Sequence, residues 1–116
     1  MRKPGQIGLL EFPQTDLTPG KRRPVLLLAQ VPGPHGDWWV CMLSTQSSQA
    51  VPDFDEIIRP ADADFGVSGL RTESVIRIAR VAVVEAKRLI GSIGTIAPDR
   101  LTRIRRRLVD WLNAAA

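Results

Sequence analysis

The chain is 116 residues long, with 44% apolar and 24% charged residues, a mixture that fits one folded domain over 1–116 and excludes the charge-rich profile of a disordered chain. A single cysteine, Cys41, and a single histidine, His35, exclude an internal disulfide and a closed zinc site. The net charge of +4 lies wholly in the second half, since residues 1–60 hold six groups of each sign and residues 61–116 hold ten basic against six acidic. A polyanionic partner and a solvated basic face kept for solubility are both consistent with that asymmetry. No apolar run approaches membrane length and the start carries no signal-like stretch, so a cytoplasmic protein without membrane contact is expected.

Gln6 to Glu11 places Ile7, Leu9 and Leu10 between Gly5 and Phe12-Pro13, which predicts a short strand ended where proline removes a ladder donor. Gln14 to Arg22 is rich in turn formers, and Pro24 to Ala29 then predicts a buried strand. Val31 to Asp37 is turn chemistry, and Trp38 to Thr45 suits a pleated surface, so the two strands pair as a hairpin with a wide loop. Ser47 to Asp53 reads as loop, and Phe54 to Arg59 and Ser74 to Val84 return to strand spacing. Strict alternation in the latter sends Arg77 and Arg80 to opposite faces, so at most one of them serves a given site. Glu85 to Leu89 predicts a helical turn and Gly91 to Ile96 a last short strand.

Leu101, Ile104, Leu108, Trp111 and Leu112 recur at three- and four-residue steps with Arg103, Arg105, Arg106 and Asp110 between them, the pattern of an amphipathic helix. Pro98 suits its first turn, Asp99 its positive end, and the arginine-rich second half lies nearer its negative end. Short strands closed by one helix predict a mainly β (α+β) fold, a small curved antiparallel barrel or sheet with the helix at an edge.

Six segments in this order resemble the MazF/PemK (Kid) family of type II toxin–antitoxin toxins. They are Gly5-Gln-Ile7, Phe12-Pro-Gln-Thr-Asp16, Lys21-Arg-Arg-Pro-Val-Leu-Leu-Leu28, Leu43-Ser-Thr-Gln46, Gly69-Leu70 followed by Ser74-Val-Ile-Arg77, and Ile93-Gly-Thr-Ile96 before the helix. The resemblance implies an SH3-like barrel of the PemK/CcdB type, a homodimer, and an endoribonuclease that cuts single-stranded RNA at short sequences with no cofactor or metal. In that chemistry the ribose 2′-OH attacks the adjacent phosphate, leaving a 2′,3′-cyclic phosphate and a 5′-OH. A cognate antitoxin is implied as partner, its acidic tail suited to the arginine-lined helix face.

Charge gathers on the phosphate oxygens during such an attack, and an arginine fork answers it with fixed donors. Arg23, before Pro24, matches the family's catalytic arginine; on its own it reads as a surface arginine at a strand start. Ser44 aligns with the family's hydroxyl and Thr45 lies one register away, so alternation lets only one of them face the site unless the strand bends. Arg77 matches a second catalytic cation used by some members. Leu17 and Ala79 stand where the Kid branch carries a histidine and an acid, which leaves Asp16 as the candidate general base, or else a turn-forming aspartate. Lys21, Arg22, Gln46 and Trp39 are the expected RNA contacts, with Trp39 a stacking platform or part of a dimer interface while Trp38 enters the core. His35, in the hairpin tip, is left out of the site. A gyrase-binding toxin of the CcdB kind, poisoning its target through the C-terminal helix, and a catalytically degenerate relative are the competing readings.

Overall fold

Val25, Leu26, Leu27 and Leu28 are all buried, and they alternate between two apolar clusters on opposite faces of one sheet. A strand covered on both sides loses the polar half of its alternation, which is why this segment reads as an unbroken apolar run. The computed structural model describes residues 2–11 and 22–115. Within them the strands are β1 (Gln6–Glu11), β2 (Arg22–Gln30), β3 (Trp38–Ser44), β4 (Glu56–Ile58), β5 (Ser74–Val84) and β6 (Leu89–Thr95). They pair antiparallel in the order β4-β5-β3-β2-β1-β6. Among the described residues no ladder joins β4 to β6, so the sheet is unclosed, and register shifts in three of the strand pairings supply its curvature.

Helix α1 (Phe65–Ser68) and helix α2 (Pro98–Ala114) complete the described elements together with single 3-10 turns at Ser47–Gln49 and Ala86–Arg88. The predicted bounds of β1 and β5 match those observed. The predicted strand at Phe54 to Arg59 shrinks to Glu56–Ile58, because the amides of Phe54 and Asp55 donate to Val51 O in a turn instead of to a ladder. Short helix α1 has no apolar periodicity to announce it. It is held by close approach: a Cβ on Gly69 would run into Ile93 O, and one on Gly94 into Val67 O and Ser68. Gly69 also has a φ of 75°, in the left-handed region that glycine tolerates best.

Leu101 and Ile104 of α2 close the larger apolar cluster, with Leu108 packed at its margin. The predicted stripe does not stay buried beyond that point. Trp111 and Leu112 are each 65% exposed, and the indole meets the Phe54 ring at 5.7 Å between centroids. The helix has no basic residue in its last turn, so its arginines are not placed for the dipole as the sequence suggested. They bind inward instead. Buried Arg100 donates to Asp64 at 2.7 and 3.0 Å, to Glu56 at 2.7 Å and to Asp62 at 3.1 Å. Arg103 and Arg107 also pair with Glu56, and Arg105 donates to Leu28 O at 2.9 Å. Asp64 further accepts from the Ala97 amide at 3.0 Å, which satisfies a backbone donor at the start of α2.

Burial alone would raise the Asp64 carboxyl, but hydrogen bonds from Arg100 and the Ala97 amide and the Arg100 charge outweigh it and hold the group below the usual range. Asp62 is likewise lowered, chiefly by the Arg59 amide and then by Arg100. No helix among the described residues is long and apolar enough to cross a membrane.

Candidate active site

Val25, Met42 and Arg77 lie opposite one another across β2, β3 and β5. Residues two apart along a strand share a face, so Arg23 and Ser44 belong to the same side of the sheet. At this end of the sheet they border a cavity of about 650 Å³ whose floor is the end of β3. Arg22 and Arg23 enter it from β2, Arg77 and Arg80 from β5, and Arg71 from the segment after α1. Its described lining contains those five arginines and no carboxylate. Among the described residues the ion pairs formed by basic groups fall elsewhere, on Arg59, Lys87, Arg88, Arg100, Arg103 and Arg107. The cavity is thus lined, among the described residues, by cationic forks that no carboxylate neutralises, the electrostatic state that attracts phosphate.

Arg77 and Arg80 line the same cavity, contrary to strict alternation. The reason is an irregularity in β5: Cys41 pairs with Val81 but Met42 pairs with Arg77, so one step of β3 spans four steps of β5. Three extra residues, an odd number, reverse the facing of the strand beyond them and put Arg80 on the side of Arg77.

Ser44 and Thr45 both line the cavity as well, because β3 ends at Ser44 and Thr45 is released from the pleat. The Ser44 hydroxyl donates to Gln49 Oε1 at 2.9 Å and accepts from the Gln46 amide at 3.1 Å. Gln49 Oε1 also accepts from Arg77 Nη1 at 3.3 Å, and Gln49 Nε2 donates to Gln46 Oε1 at 2.9 Å. One amide therefore fixes a hydroxyl and a guanidinium together. Arg77 Nε is buried without a hydrogen-bond partner.

Arg22 and Gln46 line the cavity with these groups. Asp16, Leu17 and Lys21 lie outside the described residues. Trp38 is buried and Trp39 is 37% exposed, as adjacency predicts, but Trp39 pairs with Val83 at the far end of β3 and does not line the cavity. His35 is exposed in the loop between β2 and β3. Sequence reasoning did not single out Gln49, Arg71 or Arg80. Arg71 follows the Gly69-Leu70 pair directly and was within reach of the motif; Arg80 was hidden by the irregularity, and a glutamine five residues beyond Ser44 carries no local signal. No group of three or more His, Cys, Asp or Glu among the described residues is placed to hold a metal ion.

Comparison with solved structures gives, among 39 matching chains, two neighbours over nearly the full chain. One, the Mycobacterium tuberculosis toxin MazF-mt6, superposes with a TM-score of 0.66 at 17% identity, covering 93% of this chain and 96% of that one. The other, an endoribonuclease in complex with its cognate antitoxin from Mycobacterial species, gives 0.64 at 16% identity and covers 100% and 99%. At such identities the likeness is one of fold. No curated protein matches the sequence. The family described as PemK-like, MazF-like toxin of type II toxin-antitoxin system matches residues 3–112. By that match the chain belongs to the PemK-like, MazF-like toxins of type II toxin–antitoxin systems.

Proposed function

We propose that the protein is an endoribonuclease toxin that cleaves single-stranded RNA without a metal, and that a cognate antitoxin restrains it. The observation that carries the reading is the cavity lined by five arginines and by Ser44, with no carboxylate among its described lining residues. In the reaction the ribose 2′-oxygen forms a bond to phosphorus while the bond from phosphorus to the 5′-oxygen breaks. The 2′-OH proton passes to a general base, and the leaving 5′-oxygen takes up a proton. Arg23 and Arg77 stabilise the charge on the non-bridging oxygens, Ser44 orients the phosphate with Thr45 beside it, and Arg22, Lys21 and Gln46 hold the flanking chain. Asp16 is the proposed base.

Trp39, Val81 and Val83 are exposed neighbours on β3 and β5, an apolar patch suited to a second copy in a cytoplasmic homodimer. Trp39 serves that interface in this reading, and the curved sheet corresponds to the SH3-like barrel of the PemK/CcdB type. Exposed Trp111 and Leu112 favour one other reading, a gyrase-binding toxin acting through α2.

The discriminating experiment incubates the full chain with single-stranded RNA in EDTA and maps the new termini, with a gyrase supercoiling assay in parallel. The expected result is 2′,3′-cyclic phosphate and 5′-OH ends with supercoiling unaffected. Intact RNA together with inhibited supercoiling would replace this reading with the second.

A further inference from the structure

Asp55 is a carboxylate with 8% exposure and no ion pair among the described residues. Burying an unpaired charge is unfavourable, and its two oxygens are satisfied by backbone amides alone: Val51 N donates to Oδ2 at 2.9 Å and Ala79 N donates to Oδ1 at 3.0 Å. Ala79 is one of the three residues that β5 inserts between the partners of Met42 and Cys41, so its amide has left the β3–β5 ladder. Val51 lies just after the Ser47–Gln49 turn that carries the glutamine bound to Ser44 and Arg77. One side chain thus joins the β5 irregularity to the loop beside the cavity.

We propose that Asp55 is the positioning residue of the cavity: by accepting the freed Ala79 amide it keeps the irregularity in β5 and so holds Arg77 and Arg80 on one wall. The proposal rests on the reading of the cavity as a phosphate site for RNA. Without Asp55 the Ala79 amide has no partner, and β5 relaxes toward regular pairing, in which Arg77 and Arg80 point to opposite faces. The cavity then keeps Arg23 and loses a cation from the facing wall.

The test measures binding of a short 2′-O-methyl RNA pool of random sequence, which cannot be cleaved, against salt concentration. The chains are the parent, Asp55→Ala, Asp55→Asn, Arg80→Ala and the double variant Asp55→Ala with Arg80→Ala, each checked for a cooperative melt. Asp55→Ala is expected to lower the slope of log affinity against log salt by about one, the share of one phosphate contact. Asp55→Asn, which keeps one acceptor oxygen, is expected to fall between the parent and Asp55→Ala. Arg80→Ala should cost less in the Asp55→Ala background than alone, since the arginine has already left the wall. The Ala79 amide should exchange slowly with solvent in the parent, quickly in Asp55→Ala and at an intermediate rate in Asp55→Asn.

An unchanged slope in a folded Asp55 variant, or an equal cost of Arg80→Ala in both backgrounds, overturns the proposal. If Asp55→Ala does not fold, Asp55→Asn, alone and combined with Arg80→Ala, decides by the same two readouts. Inorganic polyphosphate separates the underlying reading: a parent that binds polyphosphate but not RNA removes RNA as ligand and leaves the role of Asp55 to be read on polyphosphate. A parent that binds neither removes the phosphate cavity and the proposal with it.

Discussion

Arg77 meets the cavity with Nη1 on Gln49 and with Nε buried and unpartnered. A guanidinium holds several donors in one planar fork, so it can bind Gln49 and still present a donor to an anion, and an ammonium cannot reproduce that fork. Arg77→Lys is therefore expected to slow RNA cleavage by about tenfold or more, equal to roughly 1.4 kcal/mol in the barrier, while Arg59→Lys, on the surface beside Glu73, changes nothing. Initial rates on one RNA substrate measure both. Cys41 is the opposite kind of residue. Burial first, and then the charge of Asp55, pushes its thiol up to about 12, so at neutral pH it is a buried apolar group and no nucleophile. In native protein a thiol reagent should modify it only at the rate of global unfolding, and fast modification under native conditions would contradict this placement. Arg23, Ser44, Thr45 and Arg77 could be named from the sequence because short motifs flank them. Gln49 and Asp55 could not, since what each does depends on partners brought near only by folding, Arg77 for the one and Ala79 for the other.

At the scale of elements, α1 sits against β6 through Gly69 and Gly94, whose missing side chains let two backbones meet. Gly94→Ala should lower stability by about 2 kcal/mol or more, because backbone rather than a flexible side chain must give way; urea unfolding measures it. Helix α2 is anchored by Arg100, and Arg100→Met leaves Asp64 buried without its cation while Glu56 keeps Arg103 and Arg107, a loss of about 3–5 kcal/mol. The pH dependence has a definite sign. Asp62 and Asp64 are held below their ordinary values in the folded protein, so their contribution is complete above the ordinary carboxylate range and is lost as pH falls through the lowered values. Urea midpoints should be level near neutrality and drop below about pH 4, the ordinary range. In Arg100→Met the drop should begin at higher pH, since Asp64 then loses the hydrogen bonds and charge of Arg100 and only backbone amides oppose the effect of burial. The strands, the hairpin and the start of α2 were legible because periodicity and proline mark them. Helix α1 was not, because it is fixed by glycine contacts distant in sequence, and Arg100 fell outside the apolar pattern that revealed its helix.

Across the whole molecule, charge counted by halves of the chain points at the wrong place. The excess lies after residue 60, yet Arg100, Arg103, Arg105 and Arg107 spend theirs on carboxylates and a carbonyl beneath α2. The cavity instead draws Arg22 and Arg23 from the balanced first half and Arg71, Arg77 and Arg80 from the second. Folding, through the pairing of β2, β3 and β5, gathers what the linear count separates. Arg23 is exposed at the mouth of β2 and bears no packing, so its removal should leave the melting transition in place. The most direct measurement is the cleavage rate of single-stranded RNA in EDTA by the parent chain and by Arg23→Ala at matched folded concentration. The expected outcome is metal-independent cleavage by the parent and a loss of about 100- to 1,000-fold in the variant, the scale of removing one preorganised donor from an oxyanion. Equal rates from the two proteins, or no cleavage by the parent, would contradict an arginine-lined phosphate site as the seat of the activity.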